Sequence, residues 1–118
     1  MYMTGWRRNW KSMNRKFLDL LGLCRRAGKL SGGHDAAFGA IQHGKAAACF
    51  LTADASERLK AEFQRTVSYN GRNVPLYELN GTRADIASAT GSGFAVFTAD
   101  DPGFAKRLIQ LLNEEDSY

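Results

Sequence analysis

Apolar side chains divide this chain into short segments of two kinds. From about Asn14 to Ala27, Phe17, Leu20, Leu21 and Cys24 recur at i, i+3, i+4 and i+7, one face of a helix. Lys16, Asp19, Arg25 and Arg26 fall away from that stripe or at its end, and Gly28 closes the helix. Leu30 and Ser31 read as a very short extended link into Gly32 and Gly33. A second helix then spans roughly His34 to His43, built on Ala36, Ala37, Gly39 and Ala40 with Phe38 and Ile41 as the larger groups, and ended by Gly44. A glycine inside a helix costs about 1 kcal/mol relative to alanine, so close packing is the expected compensation at Gly39.

The segments from Ala47 onward alternate strand and helix. Ala47 to Thr52 is a continuous apolar run of the kind found in central strands. Asp54 with Glu57 reads as a capping box, opening a third helix with Leu59, Phe63, Thr66 and Val67 on one face and its end near Asn70–Gly71. Val74 to Leu79 reads as a strand with Pro75 near its start. Thr82 with Asp85 opens a helix through Ala89, Gly91-Ser92-Gly93 makes a loop, and Phe94 to Thr98 is another buried strand. Asp101 caps a last helix with Pro102 at its first position and Phe104, Leu108, Leu111 and Leu112 on its buried face. This order predicts an α/β class protein, a three-layer α/β/α sandwich around a small, mostly parallel or mixed sheet. In such folds the loops at one end of the sheet collect the ligand. The start of the second helix, the Ala53–Asp54 turn and the Gly91–Gly93 loop are expected to meet there.

A length of 118 residues fits one such domain, residues 14–118, with residues 1–13 as an N-terminal arm. The arm, MYMTGWRRNWKSM, interleaves Tyr2, Trp6 and Trp10 with Arg7, Arg8 and Lys11. Such a segment can stack on unpaired bases while its charges meet phosphates, or serve as a tail that docks a tryptophan on the domain.

Charge sharpens the picture. The net charge is +4, yet residues 1–30 hold eight Lys and Arg against Asp19 alone, while the remaining 88 residues hold eight basic and eleven acidic groups. A field confined to one end of the chain fits a nucleic-acid footprint or a solvated basic tail. Three of these cations, Arg25, Arg26 and Lys29, immediately precede Gly32–Gly33. A glycine pair at a helix start is often just a tight turn. It also leaves backbone N–H groups aimed at a ligand, where the helix dipole favours anions.

Several chemistries find no support in the sequence. Cys24 and Cys49 are too few and too far apart for a zinc cage, and are expected to be buried thiols in a reducing compartment. There is no Walker A loop, no complete dinucleotide fingerprint and no nucleophile elbow. His34–Asp35 is the only suggestive pair, and neighbours on a helix point about 100° apart, so mutual activation is not expected. Asp100–Asp101 reads as a helix cap rather than a metal site. The expectation is a cytoplasmic, non-catalytic protein with no cofactor, no metal and no membrane span.

The run LLGLCRRAGKLSGGHDAAFGAIQHGKAAACFLTADASERLK with the later TADDPGFAKRL resembles the bacterial YlxQ-like branch of the L-seven-Ae ribosomal protein superfamily, over roughly residues 16–112. The LGL-x-RRAGKL, GKA and DAS segments are its most specific parts. The resemblance implies an α/β/α sandwich that binds structured RNA, ribosomal or of the kink-turn type, in which tandem sheared G·A pairs adjoin a sharp bend. In RNA-binding members the helix after the glycine enters the kinked groove with a Gly-x-Asn-Glu-x-x-Lys motif, and the loop before the last strand covers an extruded nucleotide. Aligned through Gly33 and Gly44, the glycine is Gly33, and Asp35, Ala36 and Gly39 stand at the Asn, Glu and Lys positions; the loop is Ala89 to Gly93. Ala36 removes an acceptor for guanine N–H groups and Gly39 removes a cation, each contact worth about 1–3 kcal/mol.

The charge pattern and helix start together with the resemblance give Arg25, Arg26, Lys29, Gly32, Gly33, His34, Asp35, Ala89, Gly91, Ser92 and Gly93 as the expected RNA-binding residues. The reading is of an RNA-binding accessory protein of the ribosome or the transcription–translation apparatus, with a ribosomal or transcription-factor protein as a further partner. A protein-interaction module on the same fold and the substrate-binding part of an RNA-modifying enzyme are the alternatives. The oligomeric state is left open.

Overall fold

Asn14 starts the first helix, α1 (Arg15–Arg26), because its side-chain oxygen accepts from the Lys16 N–H at 2.8 Å. At the other end the Lys29 N–H donates to the Cys24 carbonyl and the Gly28 N–H to that of Arg25, a Schellman closure that Gly44 repeats at the end of the second helix. The computed structural model describes residues 14–71 and 73–116, so the expected aromatic and basic arm over residues 1–13 lies outside the described residues.

The chain continues through β1 (Leu30–Gly32), α2 (His34–Gln42), β2 (Ala48–Leu51), α3 (Glu57–Thr66), a 3-10 turn at Tyr69–Gly71, β3 (Leu76–Glu78), α4 (Arg83–Thr90), β4 (Val96–Ala99) and α5 (Pro102–Asp116). The four strands form one sheet in the order β1-β4-β2-β3. β4 runs antiparallel to both β1 and β2, and only β2 and β3 are parallel. The sheet is therefore mixed, and the expected link at Leu30–Ser31 is its edge strand, with Leu30 opposite Ala99 and Gly32 opposite Phe97.

β2 and β4 are buried at every position, and alternate residues face opposite layers. Ala48, Phe50, Phe97 and Ala99 pack with Phe17 and Leu21 of α1, Ile86 of α4 and Leu108 and Leu111 of α5. Cys49, Leu51 and Val96 pack with Ala37 and Ile41 of α2 and Phe63 of α3. This is the α/β/α sandwich the pattern predicts. The Phe50 ring organises the first layer, stacked on Phe97 at 5.3 Å and on Tyr77 at 6.0 Å and met edge-on by Phe17 at 5.8 Å.

Four local expectations are corrected. Ser56, not Asp54, caps α3, its hydroxyl accepting from the Leu59 N–H at 3.1 Å. Asp54 instead accepts from the Arg83 N–H at 3.1 Å and so caps α4 alongside the Thr82–Asp85 box. α3 ends at Thr66, short of Asn70–Gly71. In α5 Leu108, Leu111 and Leu112 are buried as expected, but Phe104 flanks that stripe half-buried and Ala105 takes the buried place in the first turn. Gly39 is not closely packed, since a Cβ there meets no heavy atom within 4 Å.

With open space around it and a helical backbone, Gly39→Ala is expected to raise stability by about 0.5–1 kcal/mol. A urea denaturation midpoint that fails to rise would show that this position is constrained by something other than helix propensity.

Candidate nucleic-acid interface

The mixed topology puts the ends of β1, β2 and β3 beside the start of β4. Gly33 N–H donates to the Val96 carbonyl at 2.9 Å, Thr52 N–H to that of Ala95 at 3.0 Å, and Ala53 N–H to that of Gly81 at 2.9 Å. The three segments expected to meet at one end of the sheet do meet there.

Gly33 is the N-cap of α2, at φ 91° and ψ 166°, a conformation that an L side chain rarely adopts. It provides no side-chain cap. The N–H groups of His34, Asp35 and Ala36 are thus left without intrahelical acceptors, with the positive end of the dipole behind them. Beside them, a Cβ on Gly32 would lie 2.3 Å from the Phe94 ring, so the ring lies flat on bare backbone. The Arg25 guanidinium carbon sits 5.0 Å from the centroid of that ring, at cation–π range.

The basic residues diverge, however. Arg25 reaches the glycine pair. Arg26 lies instead in a groove between α1 and α4 with Gly22, Leu23, Ser88 and Ala89. Lys29 precedes β1 at the far end, where its carbonyl accepts from the Asp100 N–H at 2.8 Å. Ala89 belongs to α4 rather than the loop, its carbonyl packed on Gly22 of α1. The loop proper starts at Gly91, the left-handed end of α4, and is tied down by the Thr90 hydroxyl, which donates to the Ser92 carbonyl at 2.9 Å. Gly93 leans on the first turn of α4, where a Cβ would come within 3.1 Å of the Arg83 carbonyl.

His34 and Asp35 hydrogen bond although they are adjacent on the helix, and the imidazole is held from both sides. Its Nε2 lies 2.7 Å from the Glu62 carboxylate and its Nδ1 3.0 Å from Asp35. The ring stacks on Phe38 at 6.2 Å and meets the buried Phe63 edge-on at 5.5 Å. The bond to Glu62, followed by that to Asp35, raises the His34 pKa above its ordinary value of 6.5. Across the same end, burial acts to raise the Asp54 pKa, but hydrogen bonds from Thr52 and the Arg83 N–H and the Arg83 charge prevail and lower it. Among the described residues no group of three His, Cys, Asp or Glu is placed to hold a metal, and no helix is long and apolar enough to cross a membrane.

Sequence reasoning missed Phe94, Glu62 and Arg83. Phe94 reads as the first residue of a strand, and only its adjacency to a glycine-rich loop hints at exposure. Glu62 is 28 residues from His34 and carries no sequence signal of the pairing.

No protein-family model matches the chain. The RNA-binding protein YlxQ of Enterococcus faecium is 37% identical over 97 residues, covering 82% of this chain and 91% of that protein. The RNA-binding protein YlxQ of Bacillus subtilis is 33% identical over 99 residues, covering 83% and 96%. Among solved structures, a protein of unknown function from Bacillus halodurans superposes with a TM-score of 0.77 at 28% identity, over 85% of this chain and 99% of that one. The Giardia lamblia 15.5 kD RNA binding protein superposes with a TM-score of 0.62 at 14% identity, over 93% and 96%, and so shares the fold.

A raised His34 pKa means that the folded state holds the proton more tightly than the unfolded chain. The clasp's contribution to stability is fully present below the unfolded value of about 6.5. It is lost as pH rises through the folded value. NMR titration is expected to show His34 titrating above 6.5. In Glu62→Gln the titration should move down, and the stability gap between the two proteins should shrink as the pH rises past it.

Proposed function

The chain belongs to the YlxQ family, whose curated members above are named RNA-binding proteins, and from that premise we propose that it binds structured RNA at the end of the sheet where α2 begins. The observation that carries this reading is the uncapped start of α2 beside the Arg25–Phe94 stack: unused N–H groups for phosphate, and an aromatic ring and guanidinium for a base or a second phosphate. The loop from Gly91 to Gly93 and the side chains of His34 and Asp35 border the same surface. In the cell this is the work of a cytoplasmic accessory protein of the ribosome or the transcription–translation apparatus, acting by binding rather than catalysis.

The manner of reading differs from the motif the superfamily resemblance implies. Asp35 shares His34 with Glu62, and Ala36 and Gly39 present no group to a base edge. Recognition then rests on backbone, charge and the shape of a kinked RNA. The bare helix face also favours a second reading, a module that docks a protein partner of the same apparatus.

Fluorescence anisotropy with a kink-turn RNA and a matched duplex lacking the G·A pairs, at about 50 and 200 mM salt, separates the two. The expected outcome is a preference for the kinked RNA at both salts. Arg25→Ala should weaken binding by about 1–3 kcal/mol, while Lys29→Ala, at the far end of β1, should change it little. Equal binding to both RNAs that disappears at the higher salt would reduce the surface to a basic patch and leave the protein-docking reading.

A further inference from the structure

We propose that the groove between α2 and α3 seats an unpaired nucleotide of the same RNA strand that the start of α2 engages. This rests on the RNA-binding reading above. The groove encloses about 770 Å³, within the range of about 300–1,000 Å³ typical of small-ligand sites. α2 presents Phe38 and Ile41 one turn apart as its floor, and α3 with the following turn presents Arg65, Thr66 and Tyr69, with His43 at the mouth.

The chemistry of the walls is that of a nucleotide. Tyr69 is 63% exposed, and its ring has no aromatic partner among the described residues. Phe38 is half-buried beside the fully buried Ile41, so the floor is apolar. Arg65 is exposed and makes no ion pair among the described residues. The acid of the groove, Glu62, already faces the His34 imidazole at 2.7 Å. What is left is an aromatic surface with one uncommitted guanidinium, which fits a base on the rings and its phosphate on Arg65.

Continuity with the helix start names the source. Glu62 lines the groove and also holds His34, the first residue of α2. α2 has nine residues, so its two ends are only about 13 Å apart. That is two or three nucleotides of strand. An RNA whose phosphate sits on the N–H groups of His34 to Ala36 can therefore lay a following, unpaired nucleotide along α2.

The test uses the full chain and a structured RNA, either blunt or extended by three unpaired nucleotides at one end or the other. One extension is expected to tighten binding about tenfold. Tyr69→Ala and Arg65→Ala, both at exposed positions, should abolish that gain and leave affinity for the blunt RNA unchanged, while Tyr69→Phe keeps it. No gain from either extension, or an equal loss on blunt and extended RNA in Tyr69→Ala, overturns the proposal. NMR titration with a single-stranded pentanucleotide and with AMP separates it from the reading it rests on. Shifts at Phe38, Arg65 and Tyr69 with the pentanucleotide, even where blunt structured RNA fails to bind, support the groove and count against the α2 start. Binding of structured RNA with those residues unmoved overturns the groove alone. Equal shifts with AMP would make the occupant a free nucleotide and overturn the assignment to a strand.

Discussion

The antiparallel pairing of β2 with β4 is the contact on which the rest of the molecule depends. Leu51 faces Val96 and Ala48 faces Ala99, in two strands buried on both sides. Each helix covers one side of this pair: α1, α4 and α5 on the Phe50–Phe97 side, α2 and α3 on the Cys49–Leu51 side. Burying a side chain of this size is worth about 1.5–3 kcal/mol, and both layers draw it from the same two strands. The pairing also sets the place of the proposed site in the fold. Because β4 opposes its neighbours on either side, its start lies where β1 and β2 finish. The loop before β4 is thereby brought onto the first turn of α2.

Much of this was legible from periodicity and punctuation. The stripe of Phe17, Leu21 and Cys24, the glycines after α1 and α2, the Thr82–Asp85 box and the Asp101–Pro102 start all encode local geometry, which a sequence states directly. Strand order and direction do not follow from local pattern. A buried run such as Ala48–Leu51 has the same composition whether its neighbour is parallel or antiparallel, and Leu30–Gly32 is too short to announce itself as a strand. Asp54 shows the same limit at a single residue. Its spacing to Glu57 satisfies a capping box, but the carboxylate caps a helix 29 residues away, and Ser56 takes the local task.

The candidate site was half legible for a related reason. Gly33 could be read as a helix start because only glycine adopts its backbone readily. The divergence of Arg25, Arg26 and Lys29 could not, because a Schellman turn separates the first two from the third. After it the chain runs back along β1, so Lys29 is left at one end and the glycine pair at the other. The clasp at His34 was invisible for another reason. Its stronger partner, Glu62, is on α3, and only packing of the two helices against the sheet brings it within 2.7 Å.

Magnitudes decide how such a surface can recognise anything. A helix terminus contributes about 0.3–1 kcal/mol toward an anion, and an exposed cation–π contact about 0.5–1 kcal/mol toward holding Arg25 in place. Neither replaces base-edge contacts of about 1–3 kcal/mol at the Glu and Lys positions of the superfamily motif, which Ala36 and Gly39 do not offer. The first turn is also partly self-cancelling, since the carboxylate of Asp35 sits where the N–H groups invite an anion, and among the described residues it is His34 that offsets it. Affinity on the proposed RNA must then accumulate from several weak contacts. They are spread over the start of α2, the Arg25–Phe94 stack and the loop from Gly91 to Gly93. Contacts of that kind are made together only by a backbone already bent to reach them all. On the proposed reading, a surface built this way selects the shape of its RNA before its sequence.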